Sequence, residues 1–184
     1  MATFDKLLIL DLDETLIHAS SSAPAGHFQV AEYRVLERPH ARRFLQFAFH
    51  HFTEVAVWTA ASRGYAEVVL RHLLGDDFAS RLAFVWCYER CRRGMDFDTG
   101  SWSTEKPLRK VRRRGYDLAK VLFVEDTPGN LRRNYGNLVP VRPFVGDPAD
   151  DDLLVLESFL LEIGPLDDVR RHEKRNWRSR TMRG

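Results

Sequence analysis

Short apolar runs separated by amphipathic stretches set the rhythm of this chain. Leu7-Leu8-Ile9-Leu10 is continuous and flanked by charge, the pattern of a strand buried on both faces. Residues 54–58, 120–124 and 138–141 repeat it, giving four core strands. Between them the apolar positions recur at helical spacing. Pro39 opens a predicted helix running to about residue 51, with Phe44, Leu45, Ala48, Phe49 and Phe52 on one stripe. Ala66, Val69, Leu70, Leu73 and Leu74 form a second stripe, stopped by Gly75. A helix over about 105–114 ends before Gly115, and a last one over about 150–163 is closed by Gly164-Pro165. Strand and helix in alternation predict an α/β fold, a mostly parallel central sheet with helices on both faces.

Three stretches break the rhythm. Residues 19–27, with Ser20-Ser21-Ser22, Pro24 and Gly26, read as an exposed loop, and residues 28–36 as an extended arm of a hairpin. Residues 82–102 form a small insert, irregular, aromatic and basic. Residues 170–184 carry seven Lys or Arg and few apolar side chains. They predict a solvated or partner-bound basic tail, with nucleic-acid contact as the sharper alternative. The expected organisation is one domain over 1–169 followed by that tail, without internal repeats.

Composition narrows the class. At 184 residues with 44% hydrophobic side chains, the chain can bury the core of one domain. A net charge of +2 argues against an obligate nucleic-acid binder. Acidic residues arrive before a signal-peptide core can form, and Leu7–Leu10 is far too short to span a membrane. A cytoplasmic or otherwise intracellular protein without membrane contact is expected, with the nucleus and the oligomeric state left open. Cys87 and Cys91, spaced C-x3-C with no second pair, are expected as reduced thiols rather than a zinc site.

Candidate chemistry begins at Asp11-Leu12-Asp13-Glu14-Thr15, directly after the first strand. Positions two apart in extended chain share a face. Asp11 and Asp13 therefore point together at the carboxyl end of a parallel strand, where open α/β sheets bind ligands. Two buried like charges are costly without a task. The plain alternative is a turn cap at Asp11 beside an exposed Asp13. After the second strand, Thr59 and Ala60-Ala61-Ser62 offer phosphate oxygens a hydroxyl and backbone N–H groups, or else a simple helix cap. Lys106, at the start of the predicted 105–114 helix, can lie over the same end as a point charge or be an ordinary surface lysine. Glu125-Asp126 end the third strand, or begin a surface turn into Thr127-Pro128-Gly129.

The order paired acids, Thr, Lys, paired acids resembles the haloacid-dehalogenase-type phosphohydrolases. The strings DLDETLIH, ERPHARRFL, VWTAAS and VEDTP are similar to the small carboxyl-terminal-domain phosphatase and NLI-interacting-factor-like branch, over about residues 5–169. The resemblance implies a three-layer, Rossmann-like fold and a Mg²⁺-dependent phosphatase. It implies that Asp11 attacks phosphorus to form an aspartyl-phosphate, and that Asp13 protonates the leaving alcohol and then activates water. Asp11, the Asp13 main-chain carbonyl and Asp126 would hold Mg²⁺, with Glu125 behind them. Thr59 and the Ala60 N–H would hold the phosphate, Lys106 would bridge it to Asp11, and Thr15 and Tyr65 would touch substrate. Glu125 stands where the family usually has Asp. Ser62 stands where relatives have a larger apolar residue helping to bind a proline-containing peptide, whereas Tyr65 keeps a matching aromatic.

Charge counting supports the metal. Asp11, Asp13, Glu125 and Asp126 outweigh Lys106, so a dianionic phosphate is repelled until Mg²⁺ and a proton on Asp13 restore balance. The site is expected to be open. About 43 residues separate the first two motifs, and neither that gap nor 62–106 holds a full cap domain. An open site favours a phosphorylated macromolecule, a protein ahead of a nucleic acid. The readings in order are a phosphoprotein Ser/Thr phosphatase, a polynucleotide end phosphatase, and a catalytically silent binding module of the same fold. Within the insert, Arg90 is the candidate substrate contact; the alternative is that its aromatics only pack on the domain.

Overall fold

Five parallel strands form the centre of the structure, a computed structural model that describes residues 2–21, 28–95 and 102–182. In chain order the strands are β1 (Phe4–Leu10), β2 (Ile17–Ser20), β3 (Phe28–Val30), β4 (Tyr33–Glu37), β5 (Phe52–Trp58), β6 (Val85–Trp86), β7 (Arg92–Met95), β8 (Trp102–Glu105), β9 (Val121–Glu125) and β10 (Leu138–Pro140). The helices are α1 (Ala41–His51), α2 (Arg63–Leu74), α3 (Phe78–Arg81), α4 (Arg109–Arg112), α5 (Asp152–Ile163) and α6 (Trp177–Thr181). The central sheet runs β10-β9-β1-β5-β6, so the first apolar run lies in its middle, with Leu8 beside both Val55 and Leu122.

Strand alternation sends Leu8, Leu10, Val57 and Val124 to one face, where they pack with Phe44 of α1, Val69 of α2 and Leu156 of α5. Leu7, Ile9, Trp58 and Phe123 go to the other. That second face is covered thinly, by α4 and by 3₁₀ turns such as Pro128–Leu131, through Leu108, Val111 and Leu131. Helices on both faces are therefore present but unequal. Between Pro107 and Gly115 only Leu108 and Val111 are buried, which anchors a single turn of helix in place of the expected 105–114 element.

Other boundaries shift for local reasons. His40, in the left-handed region at φ 66°, is the entry to α1, which begins at Ala41, and Phe52 starts β5 instead of ending the helical stripe. Ser62 caps α2 by accepting from the Tyr65 N–H, and Gly75 closes it at φ 93°. Residues 28–36 contain both arms of a hairpin, turning at Ala31 with φ 52°, and β2 completes a three-stranded antiparallel sheet with order β2-β4-β3. Ala19 and Ser20, expected in a loop, pair with Val35 and Arg34; the rest of that expected loop, 22–27, lies outside the described residues. The 82–102 stretch supplies the edge strand β6, whose Trp86 packs with Phe84 into the core, and β7, which pairs antiparallel with β8. Phe97 of that insert lies outside the described residues.

The expected solvated tail is a correction. Trp177 is buried, stacks on Phe159 at 5.4 Å and donates its indole N–H to the Pro140 carbonyl at 2.5 Å. Arg178 pairs with Asp151 at 2.6 Å and Asp152 at 2.8 Å, and Lys174 is buried, donating to the His172 carbonyl at 2.7 Å. One aromatic anchor and well-placed carboxylates bind a segment whose charge suggested solvent. Among the described residues no helix is long and apolar enough to cross a membrane.

Candidate active site

Asp11, Thr59, Lys106 and Asp126 are each the first residue after a strand, following β1, β5, β8 and β9. The chain after β1 curls tightly. The Leu12 carbonyl accepts from the N–H groups of Thr15, Leu16 and Ile17, and Glu14 takes φ 58°. This turn keeps Asp11 buried at the sheet edge, where its N–H still bonds the Val124 carbonyl, and lifts Asp13 to partial exposure.

Lys106 is fully buried, neither a surface lysine nor helical. Its ammonium lies 2.8 Å from Asp11 Oδ1 and 2.6 Å from Glu125 Oε2. The first contact has ion-pair distance without hydrogen-bond geometry, so Asp11 Oδ1 is buried with no directed donor. Glu125 Oε1 accepts from the Thr127 N–H and from Asn130 Nδ2, at 3.2 and 3.1 Å. Tyr65 donates its hydroxyl to Asp13 Oδ1 at 2.7 Å, and Thr59 Oγ1 lies 3.4 Å from Asp13 Oδ2. Thr59 Oγ1 also accepts from the Ala61 N–H at 3.0 Å. The Ala60 N–H has no acceptor among the described residues.

Burial, then the neighbouring Asp11 charge, pushes both Glu125 and Asp126 above the ordinary carboxylate range. Burial pushes Asp13 up to about 6, although the Tyr65 hydrogen bond pulls the other way. For Lys106, burial favours the neutral amine, but Asp11 and Glu125 outweigh it and hold the ammonium above its usual range. Burial and the adjacent Asp13 keep Tyr65 a protonated donor.

Carboxylate oxygens of Asp11, Glu125 and Asp126 lie within 4.8 Å of one another. Both oxygens of Glu125 are taken by Lys106, Thr127 and Asn130, and Asp126 Oδ2 accepts from the Thr127 hydroxyl at 3.0 Å, which leaves Asp11 and Asp126 Oδ1 toward a cation. An all-oxygen set, crowded with negative charge and retaining a buried oxygen without a donor, fits a hard cation such as Mg²⁺. Cys87 and Cys91 are free thiols, and burial raises both, Cys87 to about 11.

The sequence-derived set is thus largely assembled, with exceptions. Thr15, expected against substrate, is fully buried, and its carbonyl accepts from Arg38 Nη1 at 3.1 Å; it supports the loop from behind. Tyr65 holds the Asp13 carboxylate directly. Arg90 is exposed, with its guanidinium 5.5 Å from the Trp86 ring centroid. Ala60 is exposed beside Thr59. Asn130, an ordinary turn residue, carried no sequence signal, and Arg38 stood within the string ERPHARRFL without an assigned role. Yet Arg38 is buried, bridging Thr15 to Asp150 at 2.7 Å and Asp152 at 3.3 Å. Beside Asp13 opens a groove of about 690 Å³, walled by Ala19, Val30, Tyr33, Ser62 and Tyr65.

The family described as NLI interacting factor-like phosphatase matches residues 6–170. Human CTD small phosphatase-like protein is 30% identical over 174 residues, covering 89% of this chain and 58% of that protein. Nuclear envelope morphology protein 1 of Schizosaccharomyces pombe is 26% identical, covering 90% of this chain and 34% of that protein. The chain thus spans between a third and three fifths of the length of these curated relatives. Among solved structures, fission yeast RNA polymerase II CTD phosphatase Fcp1 bound to beryllium fluoride superposes with a TM-score of 0.55 at 20% identity. That match covers 97% of this chain and 49% of that one, and supports the fold.

Proposed function

Because the chain belongs to the NLI interacting factor-like phosphatase family, we propose that it is a Mg²⁺-dependent phosphoprotein phosphatase working through an aspartyl-phosphate on Asp11. The observation that carries this reading is the buried Lys106 ammonium between Asp11 and Glu125 at the carboxyl edge of the sheet. A cation there lies at ion-pair distance from the carboxylate that would attack phosphorus, and sits where phosphoryl oxygens would approach.

A carboxylate oxygen of Asp11 bonds to phosphorus as the bond to the leaving oxygen breaks. Asp13, positioned by Tyr65, gives that oxygen its proton. The same carboxylate then takes a proton from water, whose oxygen attacks phosphorus and frees Asp11 and inorganic phosphate. The Thr59 hydroxyl, the unpartnered Ala60 N–H and Lys106 hold the phosphoryl oxygens. Mg²⁺ held by Asp11, Asp126 and the Asp13 main-chain carbonyl would offset the crowded carboxylates and draw charge from the phosphoryl group. The groove beside Asp13, part apolar and part aromatic, suits a phosphopeptide segment, and Arg90 remains a candidate contact for it.

Parallel turnover of phosphoserine peptides and of 3′- and 5′-phosphorylated oligonucleotides, with Mg²⁺, tests the proposal. Peptide hydrolysis abolished by Asp11→Asn is expected. Preference for oligonucleotide ends would reassign the substrate, and failure on every phosphomonoester would make the chain a binding module.

A further inference from the structure

On the thinly covered face of the sheet, the gap between α4 and the Pro128–Leu131 turn opens as a slot of about 210 Å³. Arg92, Arg109, Arg112, Arg132 and Arg133 line it, against one carboxylate, Glu105. That carboxylate is buried and already engaged by Arg132, with Arg133 at 4.0 Å and Arg92 opposite it across the β7–β8 pair. Arg109 and Arg112 make no ion pair among the described residues, and all five arginines are exposed. Five positive charges against one negative leave four.

Such crowding repels itself unless an anion occupies it. Guanidinium forks match phosphoryl oxygens two at a time, which an ammonium does not. The slot is smaller than the usual small-molecule pocket of roughly 300–1,000 Å³, but adequate for a phosphoryl group on a side chain. It also adjoins the catalytic centre. Lys106 and Asn130 line it, and the same two side chains hold Glu125 on their other side.

We propose that this slot binds a second phosphoryl group of the protein substrate, so that the enzyme selects segments phosphorylated twice. The inference rests on the phosphoprotein reading above and names the substrate class more closely. Because Lys106 and Asn130 border both places, second phosphates two, three or four residues away, at ~3.3 Å of extended chain each, are the spacings to try.

Fluorescence anisotropy with Asp11→Asn protein and Mg²⁺ tests it through binding alone. The probes are a singly phosphorylated peptide, versions with a second phosphoserine two, three or four residues away, and versions with Glu at that place. At one spacing the doubly phosphorylated peptide should bind about tenfold tighter than the single one, the factor that about 1.4 kcal/mol produces. In Arg109→Ala/Arg112→Ala that gain should vanish, with a thermal melt to show the variant folded. Should the pair melt below the parent, Arg112→Gln alone carries the test.

No gain at any spacing overturns the proposal, as does an equal gain from Glu, which would make the slot a reader of charge. Tighter competition by a 5′-phosphorylated oligonucleotide would make it a nucleic-acid contact instead. Turnover of the singly phosphorylated peptide by unaltered protein is read separately. If it persists while the gain is absent, the slot assignment fails and the phosphatase reading stands. If no peptide turns over, the phosphatase reading fails and takes the second-site assignment with it.

Discussion

Replacing Tyr65 by Phe removes one hydroxyl and nothing else from the site. That hydroxyl donates to Asp13 Oδ1 at 2.7 Å and favours the ionised carboxylate. A hydrogen bond to a charged group contributes about 1.5–3 kcal/mol, and one pKa unit corresponds to about 1.4 kcal/mol. The Asp13 pKa, about 6 with the bond in place, should therefore rise by about 1–2 units when the bond is lost. The sign differs between the two chemical steps. Phosphorylation of Asp11 needs Asp13 protonated, so in Tyr65→Phe it should persist to higher pH. Hydrolysis of the aspartyl-phosphate needs Asp13 ionised, so it should begin to fail at a higher pH than in the parent as the solution is acidified. Single-turnover kinetics across pH separate the steps. A phosphoserine peptide, whose alkoxide leaving group requires a proton, should show the full displacement of the first step. p-Nitrophenyl phosphate, whose leaving group departs readily as an anion, should show little of it. A first-step midpoint unmoved with the serine peptide, in a variant that melts like the parent, would remove Asp13 from the acid role.

Asp11→Asn keeps the shape of the nucleophile and loses its charge, so steady-state turnover should drop by on the order of 10³-fold or more. Chelation should abolish turnover, and calorimetry should show one Mg²⁺ site lost in Asp126→Asn; activity surviving chelation contradicts the charge argument. Trp177→Ala removes a buried aromatic and should cost about 3–5 kcal/mol in urea unfolding, whereas a surface residue would cost almost nothing. Lys106→Met leaves Asp11 and Glu125 facing each other in a buried place. It should lower stability by about 3–5 kcal/mol at neutral pH, with part recovered on acidification as one of the pair takes a proton.

The catalytic end of the sheet was legible because its chemistry is local. Asp11 and Thr59 each follow an apolar run by one residue and Asp126 by two, and a parallel sheet brings such ends together whatever lies between. Lys106 was right as a residue and wrong as an element, since the apolar spacing of 105–114 resembles a helix while Pro107 and the arginines permit only one turn. Trp177 was hidden by the basic residues around it: composition weighs all side chains equally, but one buried indole decides the course of the segment. The contacts of Arg38 and the arginine slot lay beyond sequence reasoning for another reason. Their partners come from distant positions, 15, 150 and 152 for the one and five arginines from three segments for the other, and no periodicity reports such convergence.

The Arg38 cluster makes the two ends of the domain a single mechanical part. Asp152 is shared by Arg38, Arg142 and Arg178, and Arg38 also grips the carbonyl of Thr15, two residues before the close of the turn that follows Asp11. Detaching α6 removes one cation from that carboxylate and leaves the others to redistribute. Fraying at the C-terminal helix should therefore loosen the turn after Asp11. In amide exchange the loop and that helix should open as one cooperative unit, although more than 160 residues separate them in sequence. Whatever binds or strains the last helix should then be felt at the Asp11 turn without approaching that end of the sheet.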